Sequence, residues 1–189
     1  EERWVRVQSG VVKDQLNAAL KAHGLFFAPE LSTSHRATIG GMIKTDASGQ
    51  GSCTYGKTRD HVLELSTVLL SGKRLDSQAL ANELAHRQAE RNDVIGEVYR
   101  CAQDIADNQQ QLIKEIFPPL NRCLTGYDLA HLREADGRFN LNSLLCGSEG
   151  SLGFIIEAKL NVLPIPQHSI LVNVRYASFM DALRDAKAL

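Results

Sequence analysis

Two glycine-rich segments constrain the fold of this chain more than any other feature. Residues 31–56 are rich in Gly, Ser and Thr, yet the apolar residues Ile39, Met42 and Ile43 stand among them, where a flexible linker would have none. The second segment, residues 147–153 (GSEGSLG), precedes the clearest strand pattern in the chain. Glycine lets a ligand or a neighbouring backbone approach closely. We therefore predict one composite site built from both segments, with tight turns alone as the alternative.

The spacing of apolar residues predicts both strands and helices. Residues 3–7, 62–70 and 154–162 have the alternating or β-branched pattern of strands. Between the first two of these strands, apolar residues recur at helical spacing from Val12 until Gly24. The first part of the chain is therefore predicted to contain a strand followed by a packed helix.

A long polar stretch separates the two glycine-rich segments. Residues 77–90 and 93–117 repeat apolar side chains at the spacing of one or two amphipathic helices, which end before Pro118 and Pro119. We interpret this stretch, about residues 77–119, as a helical insertion. Beyond Pro166, residues 170–174 predict another strand, and Ser178 with Asp181 forms the capping box of a helix that continues to the end of the chain.

Composition and charge argue against several classes of protein. The chain has 189 residues with 21 basic and 22 acidic side chains, a net charge of −1, so no excess of positive charge favours nucleic acid as a partner. Its apolar runs are too short for a transmembrane segment. The four cysteines and six histidines are scattered without zinc-site, CxxC or HExxH spacing, so no metal site is predicted. We expect a cytoplasmic location or a peripheral one at the inner membrane.

A phosphate-loop pattern offers one alternative function. Residues 51–58 (GSCTYGKT) match GxxxxGK[ST], the loop of P-loop nucleotide hydrolases, but such a loop follows a buried strand and opens a helix. Here residues 44–50 are polar, and residues 62–70 favour a strand. A dinucleotide fingerprint at Gly49 fails because Thr54 occupies the third glycine position. What remains is a loop with many exposed amides that suits a pyrophosphate; a degenerate, non-catalytic interaction module is a further alternative.

Several motifs in order resemble one family, the PCMH-type FAD-binding proteins related to vanillyl-alcohol oxidase and p-cresol methylhydroxylase, and especially their D-2-hydroxyacid dehydrogenase branch. The resemblance covers roughly residues 3–166 apart from the insertion. The motifs that carry it are Pro29–Thr33, Thr38–Gly41, Ala47–Gly49, Tyr55–Gly56, Gly126–Leu129, Gly147–Ile156 and Leu163–Pro166. The insertion is similar to that of the large bacterial members that join the flavin module to an iron–sulfur domain and resemble D-2-hydroxyglutarate dehydrogenase.

The resemblance implies a fold and a set of cofactor-binding residues. It implies an α+β fold, in which a mixed or antiparallel sheet is flanked by helices and carries the helical insertion. The implied FAD contacts, mostly through backbone, are Pro29, Ser32 and Thr33 near the flavin and its phosphates, Thr38, Ile39, Gly40 and Gly41 along the pyrophosphate, Ala47, Gly49, Tyr55 and Gly56 along the cofactor, and Gly150, Gly153 and Phe154 near the adenosine half. Asp46 departs from the neutral Asn expected at its position.

The resemblance also implies how the chain relates to a longer enzyme. Residues 1–166 would form a partial FAD-binding domain without its N-terminal phosphate loop, and residues 167–189 would begin the substrate domain. The parent enzyme would oxidise a D-2-hydroxy acid, such as D-2-hydroxyglutarate, to the 2-oxo acid by hydride transfer to FAD. Its electron acceptor would be a quinone, a cytochrome or an iron–sulfur centre, with any 4Fe–4S cluster outside this segment. No catalytic residue is assigned here, and the segment alone is expected to be inactive.

Overall fold

A computed structural model describes residues 3–117 and 126–188. Its main element is a five-stranded antiparallel sheet with the strand order β1-β6-β3-β4-β5. These strands are β1 (Trp4–Gln8), β3 (Val62–Val68), β4 (Arg74–Leu80), β5 (Phe139–Asn140) and β6 (Phe154–Asn161). A separate pair joins β2 (Leu25–Phe26) to β7 (Leu163–Pro164), also antiparallel.

Helices account for most of the remaining regular structure. They are α1 (Lys13–Lys21), α2 (Ile39–Lys44), α3 (Ser52–Tyr55), a 3-10 helix (Thr58–His61), α4 (Asn82–Ala89), α5 (Val94–Asn108), α6 (Gln110–Ile116), α7 (Asn142–Leu145) and α8 (Phe179–Ala186). The predicted α+β fold with an antiparallel sheet, flanking helices and a helical insertion is confirmed. The predicted strand at residues 3–7 and the helix after Val12 correspond to β1 and α1.

Strand β6 lies between β1 and β3 and shows where the simple alternation of the sequence fails. The alternation predicts that Phe154, Ile156, Ala158 and Leu160 share the buried face of this strand. Ala158 and Leu160 are buried, but Phe154 and Ile156 are exposed and Ile155 is buried instead. The reason is a register shift: Ser66 pairs with Glu157 but Thr67 pairs with Ile155, so one extra residue of β6 is accommodated at Ile156. Such a bulge reverses which side chains of the strand face the core.

The start of the helical insertion was predicted too early. Residues 77–80 belong to β4, where Ser77 pairs with Leu65 of β3, and the helices of the insertion begin at Asn82. Asp93 begins α5 as predicted, because its side chain accepts a hydrogen bond from the N–H of Gly96. Pro118 and Pro119, the predicted end of the insertion, lie outside the described residues.

The last part of the chain has less structure than predicted. Residues 170–174, predicted as a strand, form no strand in the described chain, and Ile170 is 86% exposed. A strand requires a hydrogen-bonding partner, and none is present here among the described residues. Ser178 caps α8 as predicted, since its side chain accepts from the N–H of Asp181.

The hydrophobic core lies between the sheet and the helices, and it fixes the first glycine-rich segment. Ile39 and Ile43 of α2 are fully buried in the same cluster as Leu65 of β3 and Leu160 of β6. The helix that carries the glycines is thereby held against the sheet.

Candidate functional site

Helix α2 positions the first glycine-rich segment. Its N-terminal residue Thr38 caps the helix by accepting a hydrogen bond from the N–H of Gly41 at 3.2 Å. A Cβ atom at Gly40 would lie 2.7 Å from the Cβ of Ser9, so glycine is needed there for α2 to pack against the end of β1. Gly41, in contrast, is exposed, and a Cβ at this position would meet only the hydroxyl of Thr38.

The second glycine-rich segment contacts the C-terminal end of α2. The N–H of Gly147 donates to the carbonyl oxygen of Ile43 at 2.9 Å, and the N–H of Glu149 donates to that of Lys44, also at 2.9 Å. Nζ of Lys44 donates to Oγ of Ser148 at 3.1 Å. These bonds satisfy carbonyl groups that a helix end leaves open. The predicted meeting of the two glycine-rich segments is confirmed.

The surface where the segments meet offers space and unpaired amides. Among the described residues, the N–H groups of Ser48, Gly49 and Gln50 have no acceptor within the chain. Gly150 has a φ of +87°, a conformation that favours glycine, and open space where a side chain would be. Consecutive free N–H groups form a concave site for anions such as phosphates. The described residues therefore fit a phosphate-bearing cofactor.

A cleft of about 470 Å³ adjoins this surface. One wall is the Gly49–Gly56 part of the first segment, and the other side is formed by charged residues. The residues that line it are Gly49, Gln50, Ser52, Cys53, Gly56, Lys57, Arg59, Asp60 and His131.

Beneath the cleft lies a set of paired charges that we call the ion cluster: Asp46, Lys57, Arg59, Asp128 and His131. Nζ of Lys57 lies 2.8 Å from Oδ2 of Asp46, and the backbone N–H of Arg59 donates to Oδ1 of Asp46 at 2.9 Å. The guanidinium of Arg59 pairs with the buried carboxylate of Asp128, which also contacts Nδ1 of His131 at 2.8 Å. The ion cluster ties the loop after Gly56 to the segment that follows the insertion.

The ion cluster rules out the P-loop alternative. Lys57, the lysine of the GxxxxGK[ST] pattern, is 6% exposed and neutralised by Asp46, so it is not available to a nucleotide phosphate. The pattern is followed by a 3-10 helix and strand β3 instead of the long helix of a P-loop. The P-loop alternative, which the sequence context already disfavoured, is therefore excluded. The same geometry explains why Asp, not Asn, stands at position 46.

The predicted contact residues differ widely in exposure. Ser32, Gly41, Gly150 and Phe154 are exposed, Thr33, Thr38, Gly40, Ala47, Gly49, Tyr55 and Gly56 are partly buried, and Pro29, Ile39 and Gly153 are buried. A Cβ at Gly153 would lie 2.6 Å from the carbonyl oxygen of Val68, and one at Gly49 would clash with the carbonyl of Glu30. These two glycines therefore have a packing role whether or not they contact a cofactor.

The amides of α2 are less available than the resemblance implied. The N–H of Ile39 donates to the carbonyl of Val11, that of Gly40 to Ser9, and that of Gly41 to the Thr38 hydroxyl. Within the described part of the chain, three consecutive N–H groups without an acceptor lie instead at Ser48, Gly49 and Gln50. Cofactor contact at residues 38–41 stays a prediction, and it would use the open surface of Gly41.

Sequence reasoning missed the ion cluster. Its members come from three separated stretches, around residues 46, 57–60 and 128–131, so no local spacing reveals it. One signal was available: Lys57, Arg59 and Asp60 form a run of charges directly after the segment rich in Gly, Ser and Thr. Charged side chains that are buried need partners of opposite charge, so this run indicated that such partners lie elsewhere in the chain.

Burial shifts the titration of two groups near the site. The pKa of His131 is lowered, first by desolvation and then by the positive charges of Arg59 and Lys57. The pKa of Lys44 is lowered by desolvation. His131 therefore favours its neutral form, in which Nδ1–H can donate to Asp128 and Nε2 is left as an acceptor.

Residues 3–117 and 126–188 contain neither a metal-binding cluster nor a membrane-spanning helix. No set of three or more His, Cys, Asp or Glu side chains in these ranges is arranged to hold a metal ion. No helix within the same ranges combines the length and the apolar character needed to cross a bilayer.

Comparison with known proteins gives a family match for the first part of the chain. A family model described as FAD binding domain matches residues 1–77, which include the first glycine-rich segment. This match agrees with the PCMH-type resemblance and with FAD as the predicted cofactor.

Relatives match over the whole length of the chain. The chain is 71% identical over 189 residues to the D-2-hydroxyglutarate dehydrogenase of Pseudomonas putida and 56% identical over 187 residues to that of Escherichia coli. These matches include 100% and 98% of this chain but only 19% and 18% of the two relatives. The chain therefore spans about a fifth of their length. A mitochondrial D-lactate dehydrogenase [cytochrome] of Arabidopsis thaliana is 30% identical over 182 residues, 96% of this chain and 23% of that protein.

A solved structure shares the fold. An alkyldihydroxyacetonephosphate synthase superposes on 88% of this chain and 20% of its own, with a TM-score of 0.53 and 20% sequence identity. At that identity the likeness concerns the fold alone. It places the antiparallel sheet and its helices in a known architecture.

Proposed function

We propose that this chain, whose residues 1–77 match the family model described as FAD binding domain, is the cofactor-binding part of a flavoprotein that oxidises D-2-hydroxyglutarate. The observation that carries the proposal is the 71% identity to a D-2-hydroxyglutarate dehydrogenase over every residue of the chain. We call the longer protein the parent protein, because the relatives are about five times longer than the chain.

The chain's own residues would bind and orient the cofactor. The free N–H groups of Ser48, Gly49 and Gln50 would donate to phosphate oxygens, and Gly41 and Gly150 would leave room for close contact. We retain all the contacts that the resemblance implied, from Pro29 to Phe154, as part of this proposal. When bound, FAD would accept a hydride from the substrate carbon.

Rigid support of these loops is the second contribution of the chain. The bonds from Gly147 and Glu149 to the end of α2 hold the two glycine-rich segments at a fixed separation. The ion cluster fixes the loop after Gly56 from below. A preorganised loop loses less conformational entropy when its ligand binds.

We further propose the division of the chain that the resemblance implied. Residues 1–166 would be part of the FAD-binding domain, and residues 167–189 would begin a substrate domain. The described residues support this division in one respect: β7 ends at Pro164, and beyond it the apolar side chains of Ile170 and Phe179 are exposed. Electrons would leave the parent protein through a quinone, a cytochrome or an iron–sulfur centre.

The test is anaerobic mixing of the parent protein with candidate substrates while the visible flavin absorption is followed. D-2-Hydroxyglutarate should bleach the absorption, and its L-enantiomer and NADH should not. Bleaching by D-lactate but not by D-2-hydroxyglutarate would correct the substrate alone. Bleaching by NADH alone, or a parent protein without flavin, would contradict the proposed function.

A further inference from the structure

Tyr127 presents an aromatic ring beside the second glycine-rich segment. The residue is 45% exposed, and it lies in the short stretch after Gly126 that leads towards the ion cluster through Asp128. Single exposed apolar residues are common on protein surfaces and need no explanation. The surroundings of Tyr127 distinguish it from such a residue.

The hydroxyl group of Tyr127 is anchored to the glycine turn. It lies 2.7 Å from Oγ of Ser151, and this Oγ donates its own proton to the carbonyl oxygen of Ser148 at 2.6 Å. Because the hydroxyl of Ser151 has only one proton, Tyr127 must be the donor in the first bond. The ring is therefore held in place on the turn instead of moving freely in solvent.

The turn next to the ring leaves room for a ligand. Gly150 is exposed, and no atom lies within 4 Å of the position where its Cβ would be. Gly126, directly before Tyr127, has a φ of +106° and the same open space. Phe154 is 69% exposed and follows the turn, so a second unpartnered ring lies close to it in sequence. A held aromatic ring beside open backbone, such as that of Tyr127, can stack against a planar heterocycle.

We propose that Tyr127 is a further cofactor-contacting residue, which stacks against one of the two planar heterocycles of FAD. The inference rests on the proposed function, because it takes FAD as the ligand. Both adenine and isoalloxazine are planar heteroaromatic rings, and an exposed tyrosine ring can stack against either.

The experiment measures the dissociation constant of FAD for the parent protein after removal and readdition of flavin. Tyr127→Ala should weaken FAD binding by about tenfold or more, since stacking on one aromatic side chain accounts for that range. Tyr127→Phe keeps the ring and loses only the hydroxyl bond, so its affinity should stay within about threefold of the wild type. Tyr176→Ala removes another tyrosine whose hydroxyl contacts a carboxylate, that of Asp185, and should leave the affinity unchanged.

A second ligand shows whether Tyr127 contacts the adenine or the isoalloxazine ring of FAD. Flavin cytosine dinucleotide keeps the isoalloxazine and replaces adenine by a smaller base. If Tyr127 contacts adenine, Tyr127→Ala should weaken FAD more than the cytosine analogue. If it contacts isoalloxazine, both should weaken equally and the visible absorption of the bound flavin should shift.

Two results would overturn the inference while the proposed function stands. One is unchanged FAD affinity in Tyr127→Ala, and the other is Tyr127→Phe binding as weakly as Tyr127→Ala, which would assign the effect to the Ser151 bond. A wild-type parent protein that neither contains nor takes up flavin would instead overturn the proposed function, and this inference with it.

Discussion

Nζ of Lys57 lies 2.8 Å from Oδ2 of Asp46, and the two side chains are only 7% and 12% exposed. Asp46 has a φ of +45°, so its backbone also adopts a conformation that few residue types tolerate. A pattern that suggests a phosphate-binding lysine thus contains a lysine with a structural role.

Removal of Lys57 should destabilise the protein. Lys57→Ala leaves the buried carboxylate of Asp46 with the backbone N–H of Arg59 and, as its remaining positive charge, the more distant side chain of Arg59. We therefore expect a loss of about 3 kcal/mol in the free energy of unfolding. Chemical denaturation of the chain measures this loss.

A double variant provides the control for that prediction. Lys57→Met combined with Asp46→Asn removes both charges, and Asn tolerates the positive φ, so much of the stability should return. If Lys57→Ala alone were as stable as the wild type, the buried ion pair would not have the role that we assign to it.

Asp93 should make the stability of the protein sensitive to acid. The hydrogen bond from Arg91, followed by that from the N–H of Gly96, lowers the pKa of Asp93 from 3.8 to about 2. A carboxyl group whose pKa is lower in the folded state stabilises the fold above its unfolded pKa. This contribution is then lost as the pH falls from 3.8 towards 2.

The Asp93→Asn variant isolates that effect. Asn keeps a capping oxygen for the N–H of Gly96 but has no charge. Thermal unfolding should show the wild type as the more stable protein at neutral pH, with the difference vanishing as the pH falls towards 2. A difference that stays constant over this range would show that the charge of Asp93 does not stabilise α5.

Gly49 should be intolerant of any side chain. A Cβ there would clash with the backbone carbonyl of Glu30, so Gly49→Ala must displace main chain and should cost about 2 kcal/mol or more. Gly10→Ala is the matched control, because nothing lies within 4 Å of its Cβ position. Equal unfolding midpoints for the two variants in urea would argue against the close packing of Gly49 on Glu30.

The sequence predicted those elements whose stability depends on local pattern. Strand β3 forms where its β-branched content predicts a strand, and the second half of β6 follows its apolar alternation. Asp93 and Ser178 each accept an N–H bond at a predicted helix start. The meeting of the two glycine-rich segments was also predictable, because each segment leads into a strand of the same sheet.

Features that depend on contacts between residues far apart in the sequence could not be predicted. Residues 77–80 were assigned to a helix, but their pairing with β3 places them in β4, since tertiary pairing overrides local propensity. The reversal of burial at Ile155 and Ile156 arises from a bulge that only the register with β3 reveals. The ion cluster likewise requires Asp128 to lie beside Arg59, a contact across the whole insertion.

The most direct test of the account is the FAD content of the purified parent protein and of two glycine variants. Gly41 is exposed, and a Cβ there would closely approach only the hydroxyl of Thr38, at 3.1 Å, so Gly41→Val should fold after a small shift of that hydroxyl but block close approach of the cofactor. Gly10→Val is its control, because nothing lies within 4 Å of a Cβ at Gly10 and this residue is outside the predicted contacts. The account predicts stoichiometric FAD in the wild type and in Gly10→Val, and little FAD in Gly41→Val with an unchanged circular dichroism spectrum. A wild-type parent protein without flavin, or a Gly41→Val variant that retains its full FAD content, would contradict it.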